Sequence, residues 1–447
     1  MVRNTIIGIV IGIVIGVVVG ATVVAPKLKP AENLTAAVPI LSPKTTKTES
    51  TEEVALPPAE KVTEKTEETD KKTGYAGLEI KNEAKKKGEA SSSKIQNAIA
   101  TTILPPAEPP VIPPPAHPAP KRSNVLGALH WKMGSAYAST LPQLGTLAMK
   151  LDRDIWRVSN GMLEIKFFEP GALVPPLEMF DAVRAGAIDA AFSSPGFWGN
   201  KIPALQLFAA IPFGPSAQEF LAWIYFGGGQ ELFNKIYHAN GIHSLFCGLI
   251  ASEASGWFRK RIRTVEDLKG LKMRFFGLGA KVVRKLGVIT FQLTSGDIFA
   301  AFENGDIDAA EFSMPAIDMK LGLYRMIKNY YFPGWHQPAT LLELMINLEK
   351  WESLPASGKA QVEAVCGDNI RYGLAEGEAS QFQALKSLRS NGVTIRRWPG
   401  EILDAFKTAW GEVAEEEAKA NKDFKRIWKS LSAFRENYTI WRELNQP

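Results

Sequence analysis

Hydrophobic residues fall at helical spacing in several stretches after residue 124, and short apolar runs lie between these stretches. The spacing predicts helices at residues 141–158, 175–185, 217–225, 230–239 and 265–270. The apolar runs predict strands at residues 125–133, 162–168, 242–251, 271–274 and 307–310. Strands that alternate with helices indicate the α/β class.

Apolar residues also keep helical spacing near the end of the chain, from Ile402 to Val413 and again from Phe424 to Trp441. Residues 414–423 between these groups are nearly all charged or small. We therefore predict one long C-terminal helix with a solvated middle. Its two apolar ends would brace both halves of the fold or pack on a second subunit.

One helix–glycine–strand unit occurs twice, at residues 180–194 and 299–313. The matching pairs are Phe180/Phe299, Ala182/Ala301, Gly186/Gly305, Ile188/Ile307, Asp189/Asp308, Ala190/Ala309, Ala191/Ala310 and Ser194/Ser313. The repeat indicates two similar α/β lobes, and a chance similarity between two helix–turn–strand units is the alternative. With two real lobes, the loops at 192–198 and 311–315 would face one cleft.

Glu311 follows directly after the strand predicted at residues 307–310. Open α/β sheets bind their ligands at the carboxyl ends of strands. This position therefore allows two interpretations, a carboxylate that binds a ligand or metal ion, and a solvated charge at a strand end.

The first 25 residues have a different composition from the rest of the chain. Residues 5–25 contain no charged residue, and about twenty apolar residues span a bilayer. A cleaved signal peptide usually has a shorter apolar core, so we favour an uncleaved membrane anchor at 1–25. Gly8, Gly12, Gly16 and Gly20 form a small-residue stripe that would let such helices self-associate.

Residues 26–122 have the composition of a disordered linker, rich in Thr, Lys and Glu and then in Pro. A tether is our prediction for it, with a docking peptide as the alternative. The folded region is then 123–447. A net charge of +5 over 447 residues indicates no nucleic-acid surface.

Few residues have the local context of a reactive centre. The five histidines show no metal-ligand spacing, and no serine or cysteine lies in a nucleophile elbow, so we predict no enzyme. Cys247 and Cys366 could pair outside the cytoplasm, but we predict buried free thiols.

Six short stretches resemble one family. They are Trp131–Met133, Ile211–Gly214, Trp223–Gly229, Gly256–Lys260, Val265–Arg274 and Tyr331–His336. The chain from residue 124 onward resembles the solute-binding proteins of tripartite ATP-independent periplasmic (TRAP) transporters, in the branch that binds 2-oxo or 2-hydroxy monocarboxylates. Most members are free in the periplasm, so the anchor at 1–25 is a departure.

The resemblance implies a two-lobed clamshell that closes on a small organic acid anion and delivers it to a membrane permease. Lobe I would cover about 123–250 with part of the C-terminal region, and lobe II about 251–340, with hinge strands near Ala251 and Leu341. We expect a periplasmic protein, anchored to the cytoplasmic membrane unless the N-terminal segment is cleaved. We also expect a homodimer.

The resemblance also implies the site residues. Arg274 would grip the ligand carboxylate, and Glu311 would bind a sodium or calcium ion from the opposite lobe. Phe312 replaces a tryptophan whose main-chain carbonyl coordinates the ion. The apolar walls would be Phe197, Trp198 and Phe312.

Two further metal positions are exchanged in this chain. Glu253 stands where relatives have glutamine, and Gln337 stands where they have glutamate. The exchange keeps the number of oxygen donors and the charge. The formal charges sum to zero when two glutamates and the ligand carboxylate meet Arg274 and calcium. With sodium the sum would be minus one, so the charge balance mildly favours calcium. The alternative is that Glu253 is a charge at the cleft edge and Gln337 a turn residue.

Two other functions remain open at this point. One is a membrane-anchored ligand sensor. The other is an enzyme acting on a 2-oxo acid with Glu311 or His336 as the base.

Overall fold

The computed structural model describes residues 125–445. The predictions for a membrane anchor at 1–25 and a linker at 26–122 lie outside these residues. Between residues 125 and 445, no helix combines the length and apolar character that crossing a bilayer requires.

Eleven strands and eleven α-helices lie within the described residues. The strands are β1 (Leu129–Ser135), β2 (Leu163–Phe168), β3 (Ala190–Ser193), β4 (Ile242–Ile250), β5 (Gly256–Phe258), β6 (Lys272–Arg274), β7 (Ile289–Phe291), β8 (Ala309–Ala310), β9 (Asn329–Phe332), β10 (Thr340–Asn347) and β11 (Thr394–Arg397). The helices are α1 (Gly145–Val158), α2 (Met179–Arg184), α3 (Ala217–Phe226), α4 (Gly229–His238), α5 (Gly277–Lys285), α6 (Ser295–Glu303), α7 (Pro315–Leu321), α8 (Leu348–Ser353), α9 (Ala356–Ser390), α10 (Gly400–Ala420) and α11 (Lys422–Asn445).

The sheet of the first lobe has five strands in the order β2-β1-β3-β10-β4. β1 pairs in parallel with β2 and β3, whereas β10 is antiparallel to β3 and β4. Every residue of β10 is buried, as expected for a central strand with a nearly continuous apolar run. This sheet is the core of lobe I.

The sheet of the second lobe has six strands in the order β11-β9-β5-β8-β6-β7. β6 and β8 are parallel neighbours, with Arg274 opposite Ala310. Glu311 follows Ala310 directly, so the pairing brings Arg274 and Glu311 to the same edge of the sheet. This edge is the carboxyl end of both strands, where open α/β sheets bind ligands.

Two short crossovers and one helix connect the sheets. Residues 251–255 run from β4 to β5, and residues 333–339 run from β9 to β10. Helix α9 packs on β4 and α1 in lobe I and on α7 in lobe II, and the chain then enters β11. The predicted two-lobed α/β architecture is confirmed.

The predicted single C-terminal helix is wrong, because the chain breaks at Asn421, which has an extended backbone. Helix α10 packs on α5 in lobe II, where Lys285 Nζ lies 3.0 Å from Glu412 Oε2. Helix α11 packs on lobe I, where Trp223 Nε1 donates to Ser430 Oγ at 3.2 Å. The pair of helices therefore contacts both lobes, as expected for the single helix.

The prediction of two free thiols is also wrong, since Cys247 and Cys366 form a disulfide. They are 119 residues apart in sequence, and only the packing of α9 on β4 brings them together. The disulfide ties α9 covalently to the sheet of lobe I.

Candidate binding site for a small anion and a cation

A small cavity of about 30 Å³ lies between the lobes. Lobe I lines it with Tyr137, Ser194 and Phe197, and lobe II with Arg274, Phe312 and Ser313. The crossovers and the start of β10 add Glu253, Gln337 and Thr340. The prediction that loops 192–198 and 311–315 face one cleft is confirmed.

Arg274 is buried at the end of β6, with 2% of its surface exposed. Its Nε donates to the Leu293 carbonyl at 3.2 Å, and its Nη1 donates to the carbonyl and to Oε1 of Glu311 at 2.7 and 2.8 Å. The guanidinium carbon lies 5.2 Å from the centre of the Phe312 ring. Among the described residues Nη2 has no hydrogen-bond partner, so this atom is free for a ligand.

Glu311 is fully buried after β8 and belongs to the same lobe as Arg274. The expectation that these two residues approach the anion from opposite lobes is therefore wrong. Oε1 of Glu311 accepts from Arg274 and, at 2.5 Å, from the Phe276 main-chain N–H. Oε2 has no hydrogen-bond partner in the part of the chain that the structure describes.

Glu253 lies in the first crossover and is buried. Its Oε1 accepts from Ser313 Oγ at 3.2 Å and from Thr340 Oγ1 at 3.4 Å, whereas Oε2 has no partner among residues 125–445. Burial, with added repulsion from Glu311 and Asp318, raises the pKa of Glu253 well above its usual value. This carboxylate therefore needs a positive partner to be charged.

Gln337 lies in the second crossover and is also buried. Its Nε2 donates to Thr340 Oγ1 at 2.7 Å, which leaves Oε1 without a donor from the described residues. Glu253, Glu311 and Gln337 thus each present one buried oxygen that no protein group satisfies. Such atoms cost free energy unless an ion or water binds them, so the donor set fits a hard cation.

His336 joins this group, which the sequence did not predict. One possible ligand atom from each of Glu253, Glu311 and His336 lies within 4.8 Å of the others. The ring of His336 is buried between Phe275 and Trp335. Histidine spacing could not reveal it, because its neighbours come from distant parts of the chain.

Trp198 does not line the cavity, contrary to the predicted role as an apolar wall. It is fully buried in lobe I, where its Nε1 donates to Glu343 Oε1 at 2.7 Å and its ring packs on Phe180. Phe197 does line the cavity and contacts Phe276 edge to face, with ring centres 5.1 Å apart. Phe276 therefore takes the place that we expected for Trp198.

Tyr137 is the clearest site residue that the sequence did not predict. It follows β1 and lines the cavity from lobe I, and no described residue accepts or donates a hydrogen bond at its hydroxyl. Burial raises the pKa of Tyr137, so its hydroxyl stays protonated and can donate. Its local sequence has no motif that would have revealed this role.

Two α/β lobes around a cavity with a buried arginine define a two-lobed solute-binding protein. The sequence profile described as bacterial extracellular solute-binding protein, family 7, matches residues 133–421. This chain belongs to that family, and is a periplasmic solute receptor of the TRAP transporter type.

Known proteins support this assignment. The chain is 34% identical over 320 residues, 71% of this chain and 87% of the other, to a monocarboxylate 2-oxoacid-binding periplasmic protein from Nostoc sp.. A TRAP solute-binding protein from Bordetella bronchiseptica RB50, a dimer with calcium and picolinate, has a TM-score of 0.70 and 33% identity, covering 71% of this chain and 95% of that one. One from Pseudoalteromonas atlantica T6c, with sodium and pyruvate, has a TM-score of 0.68 and 31% identity, covering 71% and 97%.

Proposed function

We propose that this receptor binds a 2-oxo or 2-hydroxy monocarboxylate together with a sodium or calcium ion and delivers the acid to a TRAP permease. One observation carries the proposal. A buried arginine with a free Nη2 lies beside three buried carbonyl or carboxylate oxygens that no described protein group satisfies. The arginine matches an anion, and the oxygens match a cation.

Arg274 would bind the ligand carboxylate. Its other hydrogen bonds, to Leu293 and Glu311, hold the guanidinium in one orientation, so little conformational freedom is lost on binding. Charge-assisted bonds from a buried guanidinium are strong because no water competes. Phe197, Phe276 and Phe312 line the space beside it, which favours a short, apolar acid.

The cation would be held by Glu253 Oε2, Glu311 Oε2 and Gln337 Oε1, with the Phe312 carbonyl as a fourth donor. When bound, the ion supplies positive charge and open positions for two oxygens of the acid. The three side-chain oxygens carry two negative charges, as they would with the glutamine and glutamate exchanged. A hard cation depends on the number of oxygens more than on their order along the chain. The relatives with calcium or sodium beside a carboxylate ligand support this assignment.

Closure of the lobes would complete the site. Glu253 lies in the crossover at 251–255 and Gln337 in the crossover at 333–339. A cation bound to both side chains would therefore link the two crossovers. Hinges at these crossovers, near Ala251 and Leu341, would let lobe I bring Tyr137 and Phe197 to the acid. The closed receptor would then dock on the permease.

We further propose that residues 1–25 anchor the receptor in the cytoplasmic membrane and that 26–122 tether it there. The support is the uncharged run at 5–25 and the linker composition that follows. A tether of roughly a hundred residues would raise the effective concentration of receptor at the permease.

A homodimer is the last part of this proposal. Ile440, Trp441 and Leu444 near the end of α11 are exposed, with 57% of the Trp441 surface accessible. A second copy would cover them, and the dimeric state of the Bordetella bronchiseptica relative supports a homodimer.

Calorimetric titration of the purified full-length chain tests the proposal. We expect pyruvate or lactate to bind in the presence of calcium or sodium with a dissociation constant of roughly micromolar or lower, equivalent to about −8 kcal/mol. Acetate is the matched control, since it has a carboxylate but no second oxygen on the next carbon. Failure of every 2-oxo and 2-hydroxy acid to bind with either cation would refute the proposal.

A further inference from the structure

We propose that an arginine-lined pocket on lobe II binds the acidic block of the chain's own tether, residues 49–70. The pocket has a volume of about 480 Å³ and shares no lining residue with the cavity between the lobes. The docking is therefore independent of solute binding. Only its consequence for the reach of the receptor rests on the proposed anchor at 1–25.

Four arginines from two segments line this pocket. Arg261 and Arg263 come from the loop between β5 and β6, and Arg396 and Arg397 come from β11. Arg396 is half-buried, and the other three are exposed. No acidic residue is among the described residues that line the pocket, and none of the four arginines forms an ion pair within residues 125–445. The pocket therefore concentrates positive charge without a partner.

The two segments are held against each other. The Tyr331 hydroxyl accepts from the Ile262 N–H at 2.8 Å and donates to the Ile262 carbonyl at 2.9 Å, which fixes the loop on β9. Arg396 Nε donates to Asn329 Oδ1 at 2.7 Å. Burial raises the pKa of Tyr331, and the positive charges of Arg396 and Arg261 oppose that effect. Charges from both segments thus act on one hydroxyl.

The position of β11 offers a simpler explanation for part of this charge. β11 is an edge strand of its sheet, and charged side chains on edge strands prevent pairing with other chains. This explanation covers Arg396 and Arg397 but not Arg261 and Arg263, which lie on a loop between two strands. Four guanidinium groups in one pocket repel one another unless an anion binds there. The pocket therefore fits an anion with several negative charges.

The tether contains such an anion. Residues 49–70 contain eight acidic residues and two lysines, whereas residues 71–122 have five more basic than acidic residues. The acidic residues of the block are Glu49, Glu52, Glu53, Glu60, Glu64, Glu67, Glu68 and Asp70. Carboxylates pair with guanidinium groups through two parallel hydrogen bonds. The acidic block is thus the part of the tether that complements the pocket.

The connection between the acidic block and the folded domain is long enough for docking. Residues 71–124 precede the first described residue, Val125, and 54 residues span up to about 180 Å when fully extended. A folded domain of roughly 320 residues has a radius of gyration of about 20 Å, so the block can reach any part of its surface. Linkage in one chain raises the effective concentration of the block to about millimolar, which offsets the weakness of single surface ion pairs.

Docking would control how far the receptor reaches from the membrane. With the acidic block bound, residues 26–48 alone separate the proposed anchor from the docked segment, a span of at most about 80 Å. With the block released, residues 26–124 span up to about 340 Å. A rise in salt or an acidic competitor would therefore extend the tether.

Photo-crosslinking of the purified full-length chain in a neutral detergent tests the docking. A benzoylphenylalanine replaces Thr66 within the acidic block, and mass spectrometry locates the crosslinks after irradiation. At about 20 mM salt we expect them at residues 259–264 and 394–397, where electrostatic attraction acts over about 20 Å. At about 0.5 M salt the screening length falls to about 4 Å, and the yield should drop by at least about fivefold.

Two arginine variants of the labelled chain test the pocket. Arg261→Gln/Arg397→Gln removes one arginine from each segment and should lower the crosslink yield by at least about fivefold. Arg284→Gln/Arg325→Gln is the matched control, because both arginines are exposed, belong to lobe II and lie outside the pocket. The control should keep the yield within about twofold of the unsubstituted chain. All four side chains are exposed, so an unchanged melting temperature checks that each variant is folded.

Two glutamate variants test the tether in the same way. Glu64→Gln/Glu67→Gln/Glu68→Gln lowers the charge of the acidic block and should reduce the yield by at least about fivefold. The matched control removes three glutamates outside the block. It is Glu79→Gln/Glu83→Gln/Glu89→Gln, and its yield should not fall.

Two outcomes would overturn the proposal. One is a set of crosslinks spread over the folded domain with equal yield in the pocket variant and its control. The other is no crosslink in detergent, with the pocket arginines protected from phenylglyoxal only in nanodiscs that contain phosphatidylglycerol. That result would assign the pocket to anionic lipid headgroups. Failure of pyruvate to bind would refute the proposed receptor function and leave the crosslinks unchanged, so the two proposals fail separately.

Discussion

Replacing Arg274 by methionine keeps an apolar stem and removes the guanidinium. The change deletes the bonds to Leu293 and to the carbonyl and carboxylate of Glu311. Glu311 then keeps only the Phe276 N–H, while its side chain remains 0% exposed. Breaking a buried ion pair by removing one partner costs about 3–5 kcal/mol, and we expect a loss of unfolding free energy of that size.

Arg274→Met should also weaken the binding of pyruvate. Two charge-assisted hydrogen bonds at about 1.5–3 kcal/mol each give a loss of about 3–6 kcal/mol. Since about 1.4 kcal/mol corresponds to tenfold, the affinity for pyruvate should fall by about 10² to 10⁴. A micromolar dissociation constant would then become about 0.1 to 10 millimolar.

Calorimetry with pyruvate and calcium, together with guanidinium unfolding, measures both effects. Arg259→Met is the matched control, because Arg259 also belongs to lobe II and donates to the carbonyls of Ile307 and Phe302. It forms no ion pair with any described residue and does not line the cavity, so the control should bind pyruvate normally. Pyruvate affinity within about threefold of wild type in a folded Arg274→Met protein would refute the assigned anion site.

Three smaller changes test other parts of the structure. Tyr137→Phe should weaken pyruvate binding by about 0.5–1.5 kcal/mol in calorimetry, with the melting temperature unchanged, because only the hydroxyl is lost. Cys247→Ser should lower the free energy of unfolding by about 2–5 kcal/mol in urea denaturation. Burial raises the pKa of Asp318 to about 7, so between pH of about 4 and about 7 the folded state keeps a proton that the unfolded state has released. Stability should fall as the pH rises through that window, and Asp318→Asn should reduce this slope in urea denaturation and leave the part that Glu253 contributes through its own raised pKa.

Each of these changes has an outcome that would contradict it. Equal affinity in Tyr137→Phe would mean that the hydroxyl does not reach the acid. A reductant should destabilise the wild type as much as Cys247→Ser and have no effect on the variant, and a further drop in the variant would speak against the disulfide. The same pH slope in Asp318→Asn as in the wild type would assign the titration to another group.

The sequence predicted what local periodicity and one repeat can show. Most strands and helices up to residue 310 begin and end near the predicted positions, because their apolar faces are large. The family resemblance placed Arg274 and Glu311 in one site, and in the structure Arg274 ends β6 while Glu311 directly follows β8. The expected bounds of lobe II, about 251–340, already contained both residues, and the pairing of β6 with β8 shows that they lie in one lobe.

Elements with weak local patterns were missed. Helix α9, the longest of the described helices, turns glycines toward lobe I, and a Cβ at Gly373 would lie 2.9 Å from Leu147. Small residues let the helix approach closely but give no apolar period to detect. The disulfide that fixes this helix was missed for a related reason, because pairing depends on a contact between segments 119 residues apart.

Trp198 was wrongly predicted as a wall of the cavity because its hydrogen-bond partner, Glu343, is remote in sequence. In lobe I, Glu343 accepts hydrogen bonds from Ser193, Trp198, Tyr237 and Ser244, so the loop that carries Phe197 is fixed from behind.

In lobe II, Asp318 does the equivalent for the loop that carries Phe312, since it accepts from the Ser313 N–H, Trp257 and Tyr330. Both carboxylates are fully buried, and both bind groups remote in sequence, so neither could be predicted locally. The two repeats thus each present a cavity loop that a buried carboxylate holds in place. Because these carboxylates already accept several hydrogen bonds, the residues left with unsatisfied atoms, Glu253, Glu311 and Gln337, are the ones available to an ion.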